Sequence, residues 1–211
     1  MSGVMRYSEP MSFIDALSAL TLFVFVSSIT PGPNNLMLLS SGTRFGFRRT
    51  IPHMLGIGVG FMVMIALVGL GLAQLFLLYP PLHLALKIAS ITYLLYLAFK
   101  IATSKPPSAD GDAETGKPMT FLQAAAFQWV NPKAWTMTLT AFSAYMPPTD
   151  PVVGALIVAV VAGLVNIPSV SVWAAMGTQL RRLLTQPAKL RAFNYAMAAL
   201  LVGSLYPTVV G

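Results

Sequence analysis

Apolar residues run through this chain in six long blocks, and polar residues collect in the short segments between them. The blocks cover about Phe13–Leu39, Ile51–Leu78, Leu82–Ala102, Phe121–Tyr145, Val152–Gly177 and Phe193–Val210. A helix rises about 1.5 Å per residue, so about 20 apolar residues cross a hydrocarbon core. The pattern therefore predicts an all-α integral membrane protein with six transmembrane helices. Five spans, with one block re-entrant, is the alternative. The intervening segments are turn-like or basic: the loop Gly42-Thr-Arg-Phe-Gly-Phe-Arg-Arg49, Tyr79-Pro80-Pro81, Pro147 to Pro151, and Arg181 to Arg191.

Residues 104–118 are rich in Pro, Gly, Ser, Asp and Lys and read as a linker. It divides the chain into a first half, 1–103, and a second, 119–211, with three blocks each. Three is odd, so the second half enters the membrane from the opposite side. If the halves share a fold, they are inverted repeats.

The first block of each half is interrupted by a helix-breaking polar motif. One is Thr30-Pro31-Gly32-Pro33-Asn34-Asn35, the other Asn131-Pro132-Lys133-Ala134-Trp135. Proline removes a backbone donor and clashes with the preceding turn. Freed backbone is tolerated in a bilayer only where it is buried in protein or lines a watery cavity. Matching broken helices in two halves are the sequence mark of a transporter's binding site.

Composition agrees with the membrane reading: 56% of residues are hydrophobic, 9% are charged, and mean hydropathy is +0.73. A soluble domain carries about 25% charged residues. The net charge of +7 sits in short loops, which argues against a basic nucleic-acid-binding face. There are no cysteines, and His53 and His83 have no motif spacing, so no metal or cofactor is expected. No GxxxxGK[ST] loop, Ser/His/Asp set or paired carboxylates appear, which argues against an ATPase or hydrolase. Phe13 to Ile29 lacks the basic start and cleavage site of a signal peptide and reads as a retained span, with Met5 or Met11 as alternative starts.

Loops after blocks one, three and five hold Arg44, Arg48, Arg49, Lys100, Lys105, Lys117, Arg181, Arg182, Lys189 and Arg191, while the other side holds only Arg6. By the positive-inside rule the basic loops face the cytoplasm and both termini face out.

The motifs, in order, resemble the LysE/RhtB family of amino-acid exporters. The resemblance rests on Thr30 to Asn35, Gly42 to Arg49, Gly56-Ile-Gly-Val-Gly60, Tyr93-Leu-Leu-Tyr-Leu97, Trp129-Val-Asn-Pro-Lys-Ala134, and Asn166-Ile-Pro-Ser-Val-Ser-Val-Trp173 before Arg181-Arg182. Ser90 and Ala98 stand where glycine is common in the family; both are small enough for helix packing. The resemblance implies a secondary carrier in a bacterial cytoplasmic membrane. It is nearest the branch exporting neutral amino acids such as homoserine, threonine, cysteine or O-acetylserine, with proton antiport as the expected drive. Export of basic amino acids or another small solute, or a passive channel or scaffold, are the rival readings.

The expected substrate site is Pro31, Gly32, Pro33, Asn34 and Asn35 with Asn131, Pro132 and Lys133. A half-helix restarting after the first break points its positive end at a carboxylate. The bland alternative is a structural kink near the cytoplasmic edge. Lys133 costs about 2.5–3.5 kcal/mol to insert at mid-span. No acid occurs from Ala16 to Ala109, from Thr115 to Thr149, or after Pro151. Its ammonium must lean on freed carbonyls or take the substrate carboxylate as counter-ion. A cation there also disfavours Lys or Arg as cargo.

Lys87 can snorkel to the outer interface or contact cargo. Asp15 can pair with Lys87, bind an ammonium, carry a coupling proton, or simply sit at the interface. Asn166, Pro168, Trp173 and Asn194 read as helix bridges and kinks rather than substrate contacts. Gly56, Gly58, Gly60, Gly69 and Gly71 read as close-approach surfaces, within one protomer or between protomers of a homo-oligomer. Arg44 to Arg49 reads as a topology determinant in contact with anionic lipid, with a gate as the lesser option.

Overall fold

The computed structural model describes residues 12–72, 74, 78–104, 117–184 and 186–210. Arg6, Glu9, Lys105, the alternative starts Met5 and Met11, and most of the 104–118 linker lie outside the described residues.

The described residues form helices and their connections. Helix α1, Phe13–Ile29, is capped by Ser12, whose hydroxyl accepts from the Asp15 N–H. It ends where Thr30 turns extended ahead of Pro31, as the residue before proline is pushed out of the α region. Helix α2, Pro33–Leu67, follows, and a π-turn at Val68–Leu72 closes it. Then come α3, Pro81–Ala102, and α4, Phe121–Phe127. A 3₁₀ turn at Gln128–Val130 leads to α5, Pro132–Tyr145. Helices α6, Pro151–Arg181, α7, Pro187–Gly203, and α8, Tyr206–Val210, complete the chain. Helices α2, α3, α5, α6 and α7 all begin on proline, where its fixed φ suits the first turn and its missing N–H costs nothing.

Helix α2 is not straight. Gly46 has φ 77° and ψ 169°, a backbone conformation that glycine adopts without a Cβ clash. The Ser41 and Thr50 hydroxyls meet at 2.9 Å. Nine residues of straight helix would separate them by about 13.5 Å. The chain therefore doubles back at Gly46 into arms 33–45 and 47–67. The loop expected over Gly42 to Arg49 shrinks to this one residue, with helix on either side.

Helix α6 packs along both arms. Small residues set the approach: Gly42 lies against the Ala174 backbone, Gly177 against that of Leu39, Gly58 against Ile167 and Gly163 against Met62. Along the second arm the α6 partners fall in number as the residues rise, from Ile167 at Gly58 to Gly163 at Met62, so α6 lies antiparallel to that arm. Gly56 and Gly60 lie against Phe121, Ala124 and Ala125 of α4, so these two glycines serve packing within the protomer.

Among the described residues four helical stretches are long and apolar enough to cross a membrane: Pro33–Leu72, Pro81–Ala102, Pro151–Arg181 and Pro187–Val210. Helix α1 is apolar but shorter, at 17 residues. The protein is a multi-pass membrane protein, and large apolar side chains such as Leu22, Phe25, Leu84, Phe99, Leu122 and Leu164 face outward. Helix α6 runs beyond the expected Gly177 to Arg181, and α7 starts before the expected Phe193, at Pro187. Apolar blocks underestimate these helices because basic residues extend them past the hydrocarbon.

Candidate functional site

The two helix breaks, 94 or more residues apart in sequence, meet in space. Three residues outside the helices, Thr30 to Gly32, separate α1 from α2, and Asn131 alone separates the 3₁₀ turn from α5. Each break exposes the carbonyl end of one helix and the N–H end of the next.

The carbonyls of the α1 terminus are satisfied by side chains from several elements. Thr30 returns both its N–H and its hydroxyl to Val26 O. The Asn35 amide donates to Ser28 O at 2.8 Å and Thr30 O at 2.7 Å. The Trp173 indole on α6 donates to Ile29 O at 3.1 Å. Lys133 Nζ donates to Thr30 O at 2.6 Å and Pro31 O at 3.3 Å. Asn35 is 3% exposed, so its amide is committed to holding the break open.

The N–H ends remain available. Pro33 has no donor, and the N–H groups of Asn34 and Asn35 have no intrahelical acceptor in the first turn. Across the gap the Asn131 side chain accepts from Lys133 N at 3.1 Å and caps α5. Asn34 and Gln128 exchange two amide hydrogen bonds, at 2.9 and 3.2 Å, which tie one break to the other. Gln128 also donates to Ala124 O at 2.9 Å.

Two spaces meet at Lys133. A recess of about 20 Å³ is lined by Asn34, Asn35, Gln128, Asn131, Lys133 and Asn166, among others. One water needs about 10–15 Å³, so this recess has room for roughly one solvent molecule. A cleft of about 560 Å³ lies on the other side, lined by Pro31, Gly32, Pro33, Lys87, Pro132 and Lys133, among others. Gly32 and Lys133 border both. A Cβ on Gly32 would lie 2.7 Å from Lys133 Cδ, so the glycine leaves room for the lysine side chain between the spaces.

An ammonium has three donors. Lys133 spends two on neutral carbonyls, which satisfy hydrogen bonds without cancelling charge. Among the described residues the acids are Asp15 and Asp150, both at exposed helix starts. Two helix N-termini and a half-buried lysine make a site of positive potential for a carboxylate.

The structure thus brings Pro31, Gly32, Pro33, Asn34, Asn35, Asn131, Pro132 and Lys133 into one place. Lys87 also lines the cleft and makes a long contact of 3.5 Å with Val209 O. Asp15 stays at the exposed start of α1, accepting the Ser12 hydroxyl at 2.6 Å. Asn194 donates to Ser104 O at 3.2 Å, bridging α7 to the end of α3.

Sequence reasoning missed Gln128, while Asn166 bridges α6 to α1 as a buried amide. Gln128 precedes Asn131 by three residues, and a glutamine that close to the second motif in an apolar block was the available signal. Asn166 donates to Ser28 Oγ at 2.9 Å, and its buried Oδ1 has no partner. An orphaned acceptor beside the recess calls for a donor.

A multi-pass helical membrane protein with two opposed helix breaks around a polar recess has the build of a solute carrier. Comparison with known proteins is specific: the family model for LysE type translocators matches residues 8–204. The chain belongs to that family. It is 34% identical over 188 residues to the cysteine/O-acetylserine efflux proteins of Escherichia coli O1:K1, Escherichia coli strain K12 and Shigella flexneri. These alignments cover 88% of this chain and 93% of each relative. No solved structure matches the chain significantly.

Proposed function

We propose that this translocator exports small neutral amino acids, with cysteine and O-acetylserine as the leading candidates because its relatives carry those names. The observation that carries the reading is Lys133, a cation held between two helix breaks with, among the described residues, only carbonyls as partners. The cargo carboxylate is its counter-ion. The orphaned Asn166 Oδ1 accepts from the cargo ammonium. Carboxylate and ammonium are thus read at two points, and the small recess favours a compact side chain.

The carrier has six crossings in two inverted halves, with α1 and the first arm of α2 forming one broken crossing. The lengths support a break near the midplane: α1 contributes about 25 Å and residues 33–45 about 20 Å, against a full bilayer of about 40–45 Å. The basic loops face the cytoplasm of the inner membrane and both termini face out. A proton gradient drives exchange. The narrow recess against the wider cleft supports alternating access over an open pore.

The test is accumulation of labelled amino acids in inside-out vesicles, with and without an imposed proton gradient. Saturable, gradient-dependent accumulation of cysteine or O-acetylserine is the expected result. Inserted protein that accumulates no amino acid would overturn the export reading. In the same assay Asn34→Ala lowers the rate about tenfold, the scale of an amide pair worth 1–2 kcal/mol, whereas Asn194→Ala has a smaller effect. Equal losses would remove the first break from the centre of the site. Asn166→Ala raises KM with less change in the saturating rate; an unchanged KM would dismiss it as the ammonium acceptor.

A further inference from the structure

His53 has no part in the breaks, yet it is 2% exposed and neither ring nitrogen has a hydrogen-bond partner among the described residues. A neutral imidazole carries one donor and one acceptor, and leaving both unmade in a buried place is costly. The ring borders a separate cavity of about 530 Å³ between the first arm of α2, the end of α3 and residues 117–119. Three cations line it: Arg44, Lys100 and Lys117. Arg44 is held by the Ser104 hydroxyl at 2.7 Å, and Lys100 lies 5.8 Å from the Tyr96 ring centre. Ser40 and Ser41 add hydroxyls to the wall. Among the described residues no acid lines it.

The cavity sits at the far end of the half-helix that starts at the first break. Residues 34, 37, 41 and 44 recur at helical spacing on one face of that arm. Asn34 is at the central recess, while Met37, Ser41 and Arg44 line the second cavity. Buried Met37, 5% exposed, stands between them.

We infer that this cavity is a second carboxylate site, at which cargo loads from the cytoplasm before passing Met37 to the central recess. The inference rests on the export reading for its cargo, but the binding it requires is measurable without transport. Arg44, Lys100 and Lys117 attract the carboxylate, and the imidazole N–H of His53 donates to it. An unbranched, flexible methionine suits a barrier that must move aside.

The experiment is NMR of ring-¹⁵N-histidine-labelled full-length protein in phosphatidylcholine nanodiscs at fixed pH, with the His53 signals assigned by their loss in His53→Gln. O-acetylserine and acetate are the probes. Both should shift the His53 signals saturably, in the wild type and in Lys133→Ala, which removes the central cation. Lys100→Gln with Lys117→Gln should weaken both responses at least tenfold. No shift with either probe, or an undiminished shift in the double variant, would overturn the site. A response to acetate without one to O-acetylserine would overturn its loading role. A shift caused by adding phosphatidylglycerol to the nanodiscs, which acetate cannot reverse, would make it a lipid-headgroup site and overturn the inference. Failed transport with an intact His53 response separates failure of the export reading from failure of this one.

Discussion

Lys133→Ala abolishes amino-acid accumulation in inside-out vesicles while the protein still inserts and purifies as a folded species. Losing a desolvated charge partner costs about 2–5 kcal/mol, so the rate falls at least about thirtyfold. The variant is easier to insert than the wild type, since a mid-span lysine costs about 2.5–3.5 kcal/mol. Two carbonyls lose a donor, Thr30 O and Pro31 O, but Thr30 O keeps the Asn35 amide at 2.7 Å. The fold therefore survives. Lys133→Gln separates charge from hydrogen bonding, because it keeps donors and drops the charge. Export by Lys133→Gln at the wild-type rate would show that the carbonyl contacts alone matter and would end the counter-ion role.

Gly177→Leu has the largest expected effect on the fold. A Cβ at Gly177 would overlap the backbone of Leu39 and Thr43, which cannot rotate away. The neighbouring contacts from Thr43 Oγ1 to Gly177 O at 3.1 Å and from Thr178 Oγ1 to Gly42 O at 3.5 Å would be forced apart. Overpacking costs about 1–3 kcal/mol and sometimes more; a backbone clash along the longest helix contact lies at the upper end. The expected result is loss of most monodisperse protein on size-exclusion chromatography in detergent. Gly203→Ala is the control, because a Cβ there meets nothing within 4 Å. A normal elution profile for Gly177→Leu would show that α2 and α6 separate freely.

Much of the architecture was legible because membrane helices declare themselves locally. Pro31 and Pro132 stand beside the helix ends at Thr30 and Asn131, and the missing N–H and the ring clash belong to the residue itself. The sharp reversal within α2 was read as a whole loop because Gly42 to Arg49 mixes Arg and Gly; the helix persists through it and only Gly46 carries the turn. Asn34 and Asn35 looked alike in sequence. In the structure Asn35 is buried against helix carbonyls, while Asn34 pairs with Gln128 across the two breaks. Nothing local distinguishes an amide that supports the break from one that faces its partner.

From composition and order alone came a membrane protein, its apolar blocks, its two interruptions and a lysine without nearby acids in the sequence. Those properties are local, set by hydropathy and by the covalent limits of proline. Only the tertiary structure decided that the two interruptions face each other and that Lys133 reaches Thr30 and Pro31. It also decided that Gly56 and Gly60 pack against α4, and that buried His53 borders a cavity also lined by three cations. These depend on which helices pack together, and that choice rests on small-residue contacts between segments 100 or more residues apart, such as Thr43 with Gly177. Bilayer lipid is as apolar as the side chains it replaces, so hydropathy carries no record of it.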